Sequence, residues 1–199
     1  MTPVEVGASY DQIAARWRAP TFDNDNGIAA HKRALQFVSG KHALDVGCGS
    51  NGRLFTLMEQ NGLTAQGLDV SPEMVALARS AFPHIEIHQA DICTWQPTQA
   101  FDFISAWDSI WHVPLAEHAG VLTKLMQALT PGGVLIFTMG GLAHADEVFN
   151  HEMGVPMYHS TLGIPATLAL IDNCGCVCRH LEFDQHPEPH VYVIAQKSP

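Results

Sequence analysis

Basic residues are scarce in this chain: 10 Lys and Arg stand against 20 Asp and Glu over 199 residues, a formal charge of −10. Polyphosphate backbones are bound by cations that displace counterions, so this balance excludes nucleic acid as a natural partner. Long apolar runs are also missing. No stretch approaches the roughly 20 residues that a membrane-spanning helix requires, and no membrane segment is expected. Met1 to Tyr10 carries no basic patch followed by an apolar stretch, so a cleaved leader is not expected and a cytoplasmic location is. The five cysteines form an odd set and read as reduced thiols rather than a disulfide framework. Cys174, Cys176 and Cys178 alternate as on a strand, about 6.6 Å apart, and His84 and His88 would be separated by about 13 Å. Neither spacing suits a shared ion, and no metal site is expected.

What is present is concentrated in one stretch. Ala43-Leu44-Asp45-Val46 is an apolar run ending in an acid, and it breaks into Gly47-Cys48-Gly49-Ser50-Asn51-Gly52. Glycine lacks a Cβ, so such a loop turns sharply and lets backbone approach a ligand. The following Arg53 to Asn61 reads as a helix whose N-terminal amides face the same spot. The string also satisfies the dinucleotide fingerprint G-x-G-x-x-G, which leaves a nicotinamide cofactor open.

Helices and strands alternate along the rest of the chain. Helix-compatible stretches at Ser9 to Trp17 and Gly27 to Ser39 precede the first strand and flank a turn-rich segment, giving an N-terminal helical flap over residues 1–40 before a core over residues 41–199. Strands are predicted at 65–70, 84–88, 101–106 and 134–138. Ser71 and Pro72 open a helix that Pro83 ends, and Pro114 opens another. Gly140 to Gly163 reads as an irregular stretch, followed by a helix from Pro165 to Asn173. Two last strands, near 176–184 and 190–195, join through a short turn and must be antiparallel. This alternation predicts a single α/β domain, a parallel sheet covered on both faces.

Ligands of open α/β sheets lie beyond the carboxyl ends of the strands, where residues closing successive strands converge. Here Asp45, Asp69, Asp91 and Asp108 follow strands one to four. Asp69 suits a pair of ribose hydroxyls, because a carboxylate accepts hydrogen bonds and donates none. With few basic residues near the loop, an acidic lining would repel a pyrophosphate and favour an ammonium or sulfonium cation, which points to S-adenosylmethionine.

Taken in order, these motifs resemble those of the class I, Rossmann-like S-adenosylmethionine-dependent methyltransferases, from about Ala43 onward. Leu44-Asp45-Val46-Gly47-Cys48-Gly49 is similar to the family's first motif, Gly67-Leu68-Asp69-Val70-Ser71 to the second and Gln89-Ala90-Asp91-Ile92 to the third. Phe101 to Ile104 and Leu129 to Leu135 resemble the fourth motif and the entry to strand five. The resemblance implies a mostly parallel seven-stranded sheet of order 3-2-1-4-5-7-6 with strand seven antiparallel. It further implies Gly47, Cys48 and Gly49 at the methionine part of the cofactor, with Asp45 at its amino group. Asp69 would meet the ribose, Val70 and Ile92 the adenine ring, Asp91 the adenine amino group, and Trp107 the same cofactor.

Methyl transfer is an in-line displacement in which a protein base is optional. His112 and Asp108, in the loop after strand four, are the candidates for a base and for orienting an acceptor; each could instead brace the next helix or close a turn. Tyr10 and Trp17 of the flap, Trp111, and the stretch after strand five with His144, His151, Met157, Tyr158 and His159, of which His151 and Tyr158 are singled out, are candidates for the acceptor pocket. The expected protein is a cytoplasmic monomer or homodimer that methylates a small molecule. An NAD-dependent oxidoreductase and a catalytically silent cofactor-binding protein are the alternatives.

Overall fold

The computed structural model describes residues 1–199. Its main sheet has seven strands: β1 (His42–Val46), β2 (Thr64–Asp69), β3 (Glu86–Gln89), β4 (Phe101–Ala106), β5 (Leu129–Gly140), β8 (Cys176–Glu182) and β9 (His190–Lys197). Their order is β3-β2-β1-β4-β5-β9-β8. Strands β1 to β5 pair in parallel, and β9 runs antiparallel to both β5 and β8. This is the sheet order that the resemblance implied.

The alternation of side chains along each strand divides the core into two apolar layers. Leu44, Ile104, Leu135 and Val193 pack on one face beneath α5 (Leu115–Gln127) and α6 (Ile164–Asn173). Ala43, Phe103, Val134 and Ile194 face the other way, toward α2 (Ile28–Leu35) and α3 (Arg53–Gln60). The helix α4 (Pro72–Ala81) starts as its sequence predicts, with Pro72 in the first turn and the Ser71 hydroxyl accepting from the Met74 amide at 3.0 Å.

Beyond shifts in element ends, such as β5 beginning at Leu129 rather than at 134 and α2 ending at Leu35 rather than at 39, the structure departs from the sequence expectation in two places. The first helix, α1, spans Pro3–Ile13 rather than starting at Ser9, and residues 14–18 continue as a 3-10 turn. Its start is a capping box: Thr2 accepts from the Glu5 amide, and the Glu5 carboxylate accepts from the Thr2 amide at 2.7 Å. The stretch expected to be irregular contains a hairpin of β6 (Asp146–Asn150) and β7 (Met157–Thr161), separate from the main sheet. Apolar burial fixes it there. Met157, Tyr158 and Val155 form a third, small core with Val6 and Ile13 of α1. The flap therefore rests on the hairpin, and both stand over the carboxyl ends of the strands. No helix is long and apolar enough to cross a membrane.

Candidate active site

The turn after β1 is held by its own backbone. The Gly47 and Cys48 amides both donate to the Leu68 carbonyl, at 2.7 and 3.1 Å, and the Gly49 amide donates to Asp69 Oδ2 at 2.9 Å. Gly47 is left-handed at φ 71°, and a Cβ there would come within 2.3 Å of the Ser109 Cβ, so only glycine fits. Ser109 holds the opposite side by donating to the Val46 carbonyl at 2.7 Å.

Beside this loop lies a cavity of about 320 Å³, within the range of small-molecule sites. Its floor is the loop itself, with Gly47, Cys48 and Gly49, and Asp69 and Val70 at the end of β2. Ala90 and Ile92 line the next strand end, Trp107 to Val113 form one wall, and Tyr10, Trp17 and Phe22 of the flap cover it.

The acids do not behave alike. Asp69 reaches the cavity, its second oxygen accepting from the Ser71 amide at 2.9 Å, while burial raises its pKa. Asp108 lines it as well, in an unusual left-handed conformation at φ 49°. Asp45 is buried under the loop, outside the cavity lining; burial pushes its pKa up to about 7, against a hydrogen bond from Ser105 and the charge of Arg53. Asp91 also stays outside the lining and caps the turn after β3 by accepting from the Cys93 amide at 2.8 Å. The expected ring of four acids is thus two at the cavity and two in structural positions. A strand-end acid near a ligand loop and one beneath it are identical in sequence; only burial separates them.

The expectation that basic residues are lacking near the loop is also corrected. Arg53, the first residue of α3, lines the cavity, donates from Nε to the Asn26 carbonyl at 3.0 Å and lies 5.3 Å from the centre of the Phe22 ring. Burial lowers its pKa, while Asp45, Asp108 and Asp23 hold its charge in place.

His112 sits in a 3-10 turn (Ile110–His112), buried, with both ring nitrogens engaged. A carbonyl can only accept, so Nδ1 donates to the Tyr158 carbonyl at 2.7 Å, and Nε2 accepts from the Tyr10 hydroxyl at 2.8 Å and from Trp111 Nε1 at 3.0 Å. Burial brings its pKa down to about 4, with the neighbouring His159 acting in the same direction. It is a neutral imidazole whose lone pair is already used. Asp108 is fixed from three sides: its amide donates to Thr138 Oγ1 at 2.8 Å, Asn26 Nδ2 donates to Oδ2 at 3.1 Å, and His190 Nε2 lies 3.0 Å from Oδ1. His190 Nδ1 in turn contacts Asp184 Oδ1 at 2.5 Å. Burial alone would lower the His190 pKa, but the two carboxylates outweigh it and raise it.

Of the residues expected in the acceptor pocket, Tyr10, Trp17 and Trp111 line the cavity, and His151 and Tyr158 do not. His151 is exposed. Tyr158 points into the third core, its hydroxyl donating to Glu147 Oε2 at 2.6 Å and accepting from the Leu115 amide at 2.8 Å. Strand alternation turns Tyr158 away and presents the next residue of that stretch, His159, to the cavity. Asn26 and Phe22 were missed. Asn26-Gly27 is legible as a turn, and Gly27 is required there because a Cβ would fall 2.7 Å from the Trp107 ring, but no pattern in the sequence places Asn26 against Asp108.

Residues 43–133 match a family described as a methyltransferase domain. Trans-aconitate 2-methyltransferases from Acidovorax sp. (strain JS42) and Escherichia coli O139:H28 (strain E24377A / ETEC) are 43% and 41% identical to this chain over 102 and 101 residues. Those alignments cover 50% of this chain but only 38% and 39% of the relatives, so the chain spans well under half of their length. Among solved structures, an S-adenosylmethionine-dependent methyltransferase from Mesorhizobium loti superposes with a TM-score of 0.68 at 22% identity, over 86% of this chain and 97% of that one. An amino pentose methyltransferase from Micromonospora echinaspora, solved with S-adenosylmethionine bound, gives 0.67 at 19% identity over 94% and 96%. At these identities the likeness is one of fold.

Proposed function

We propose that this chain carries a class I, Rossmann-like methyltransferase domain and is an S-adenosylmethionine-dependent methyltransferase acting on a small molecule. One observation supports the reading above the others: a glycine turn that tolerates no Cβ lies directly against Asp69, at the floor of a cavity roofed with aromatic rings. The relatives named above are methyltransferases, which favours this reading over nicotinamide chemistry.

The donor set suits the group. Asp69 offers acceptor oxygens to the ribose hydroxyls, Val70 and Ile92 supply apolar contact for adenine, and the loop from Gly47 to Gly49 supports the methionine portion. Arg53 is the cation available to the methionine carboxylate. Trp107 stays a wall of the cofactor's side of the cavity, fixed by donating from Nε1 to Asn26 Oδ1 at 3.3 Å. Bound there, S-adenosylmethionine supplies an electrophilic methyl group on a sulfonium.

The chain's own task is to exclude water and align the acceptor, which contributes roughly 7 to 11 kcal/mol in well-oriented reactions. Tyr10, Trp17 and Trp111 do this from above. His112 serves as a positioning residue, holding the Tyr10 hydroxyl, and Asp108 orients the acceptor from the wall. The protein is further proposed to be cytoplasmic, a monomer or homodimer, and without a nucleic acid partner, on its composition and charge. Isothermal calorimetry with S-adenosylhomocysteine tests the assignment: micromolar affinity for the intact chain is expected, and no measurable heat would refute it.

A further inference from the structure

We propose that the methyl acceptor is a small amine that arrives as an ammonium cation, and that the cavity selects against polycarboxylates; this rests on the methyltransferase reading above. The charges in the lining carry the argument. Two carboxylates, Asp69 and Asp108, meet one cation, Arg53, which the reading above gives to the methionine carboxylate of the cofactor. His112 is neutral, and burial lowers the pKa of His159 too. A polycarboxylate entering this space would bring several charges and find at most one partner, a situation in which desolvation is not repaid.

For a cation the same lining is favourable. Tyr10, Trp17, Trp107 and Trp111 line the cavity, with Tyr10 and Trp17 centroids 5.3 Å apart, and aromatic rings attract ammonium groups to their faces. Asp108 adds a carboxylate. His190 and Asp184 contact it in series, so even with His190 protonated the three together carry net negative charge. Next to the cavity lies an open cleft that shares Trp111 and His159 with it and is lined by Asp146, Glu147, Glu152 and Glu188. A cleft of one sign raises the local concentration of the opposite ion.

The chemistry balances with one proton to place. The bound ammonium first gives a proton to His159, whose buried Nδ1 has no hydrogen-bond partner and whose ring lies 4.7 Å from that of His112. The freed nitrogen lone pair then forms the N–C bond while the C–S bond breaks, its electron pair staying on sulfur. The methylated ammonium leaves, and His159 returns its proton to solvent.

The test is a charge series of nearly equal shape: benzylammonium, benzyl alcohol and benzoate, with trans-aconitate as the polyanion, titrated by tryptophan fluorescence into the full chain saturated with S-adenosylhomocysteine. Benzylammonium should bind at least tenfold more tightly than benzoate, with the alcohol between them and trans-aconitate weakest. Asp108→Asn should remove most of the cation's advantage over the alcohol, and Trp17→Leu, remote from the Asp108 contacts, should weaken the cation more than the alcohol. Equal or absent binding across the series, or preference for benzoate or trans-aconitate, overturns the proposal. Failure of S-adenosylhomocysteine itself to bind is a separate result, and overturns the methyltransferase reading on which the proposal stands.

Discussion

Lowering the pH from 7 to 5 should cost this fold about 3 kcal/mol through His31, His112, His118 and Asp45, because these bury more neutral imidazoles than protonated carboxyls. His31, His112 and His118 are each pushed down to about 4 by burial. Their native contacts are those of neutral rings: His31 spans the Gly27 carbonyl and the Ser105 hydroxyl, and His118 meets the Ser160 hydroxyl at 3.1 Å. In the unfolded chain they take up protons near pH 6.5. A group whose native pKa is depressed stabilises the fold above its unfolded value and loses that contribution as pH falls, here between about 6.5 and 4. Asp45 opposes this. Its native pKa of about 7 means that the folded protein takes up that proton first, so acidification stabilises the fold at this position. Three losses that sum to between about 5 and 6 kcal/mol, against one gain of a little over about 2, leave about 3 kcal/mol from these four groups; Asp69 and His190, whose pKa values are raised, add to the gain, and His159, lowered by burial, adds to the loss. Urea titrations at a series of pH values would report it as a midpoint lower by about 1.5 M at pH 5, taking a slope of about 2 kcal/mol per molar. His118→Asn should flatten the dependence by up to about 1.4 kcal/mol per pH unit. A midpoint that stays level from pH 7 to 5 would refute the assignment of buried neutral rings.

Asp69→Asn keeps the shape but loses the charge that a ribose would meet, and S-adenosylhomocysteine affinity by calorimetry should fall by about tenfold to a hundredfold, the worth of a charge-assisted hydrogen bond. Gly47→Ala should abolish that binding, since both the left-handed backbone and the Ser109 contact oppose a methyl group; Ser109→Gly in the same chain should recover stability in part but not fully, as read by thermal melting. Tyr10→Phe removes the hydroxyl from His112 Nε2 and should cost about 1 kcal/mol, with faster proteolytic cleavage in residues 14–26 as the local readout. If cleavage there is unchanged, the flap is not secured through that hydrogen bond.

Much of the fold was legible because the governing patterns are local. Glycines at 47, 49 and 52, a capping Ser71-Pro72, and apolar runs ending in acids each announce their own geometry, and the antiparallel last pair followed from its short connection. The hairpin of β6 and β7 was not legible: Asp146, Glu147, Val148 and Phe149 are all exposed, so nothing in their polarity alternates. The early start of α1 was readable in Thr2-Pro3-Val4-Glu5 and was passed over. In the site, Asp69 and Asp108 line the cavity, whereas Asp45 is buried beneath the loop and Asp91, half-buried, caps the turn after β3, differences that tertiary packing decides. Arg53 reads in sequence as an ordinary first residue of a helix. Its place in the cavity depends on Asn26 and Phe22, which come from a different part of the chain.

The matched segment, residues 43–133, supplies the floor and the Trp107 to Val113 wall of the cavity, whereas Tyr10, Trp17 and Phe22, and on the far side Met153 and His159, come from outside it. Floor and roof are therefore housed in different lengths of polypeptide. An exchange of residues 3–26 together with 146–161 for those of a methyltransferase of the same fold would keep every residue of the glycine turn and re-tailor the chamber above it, so that new selectivity can be grafted without rebuilding the chassis.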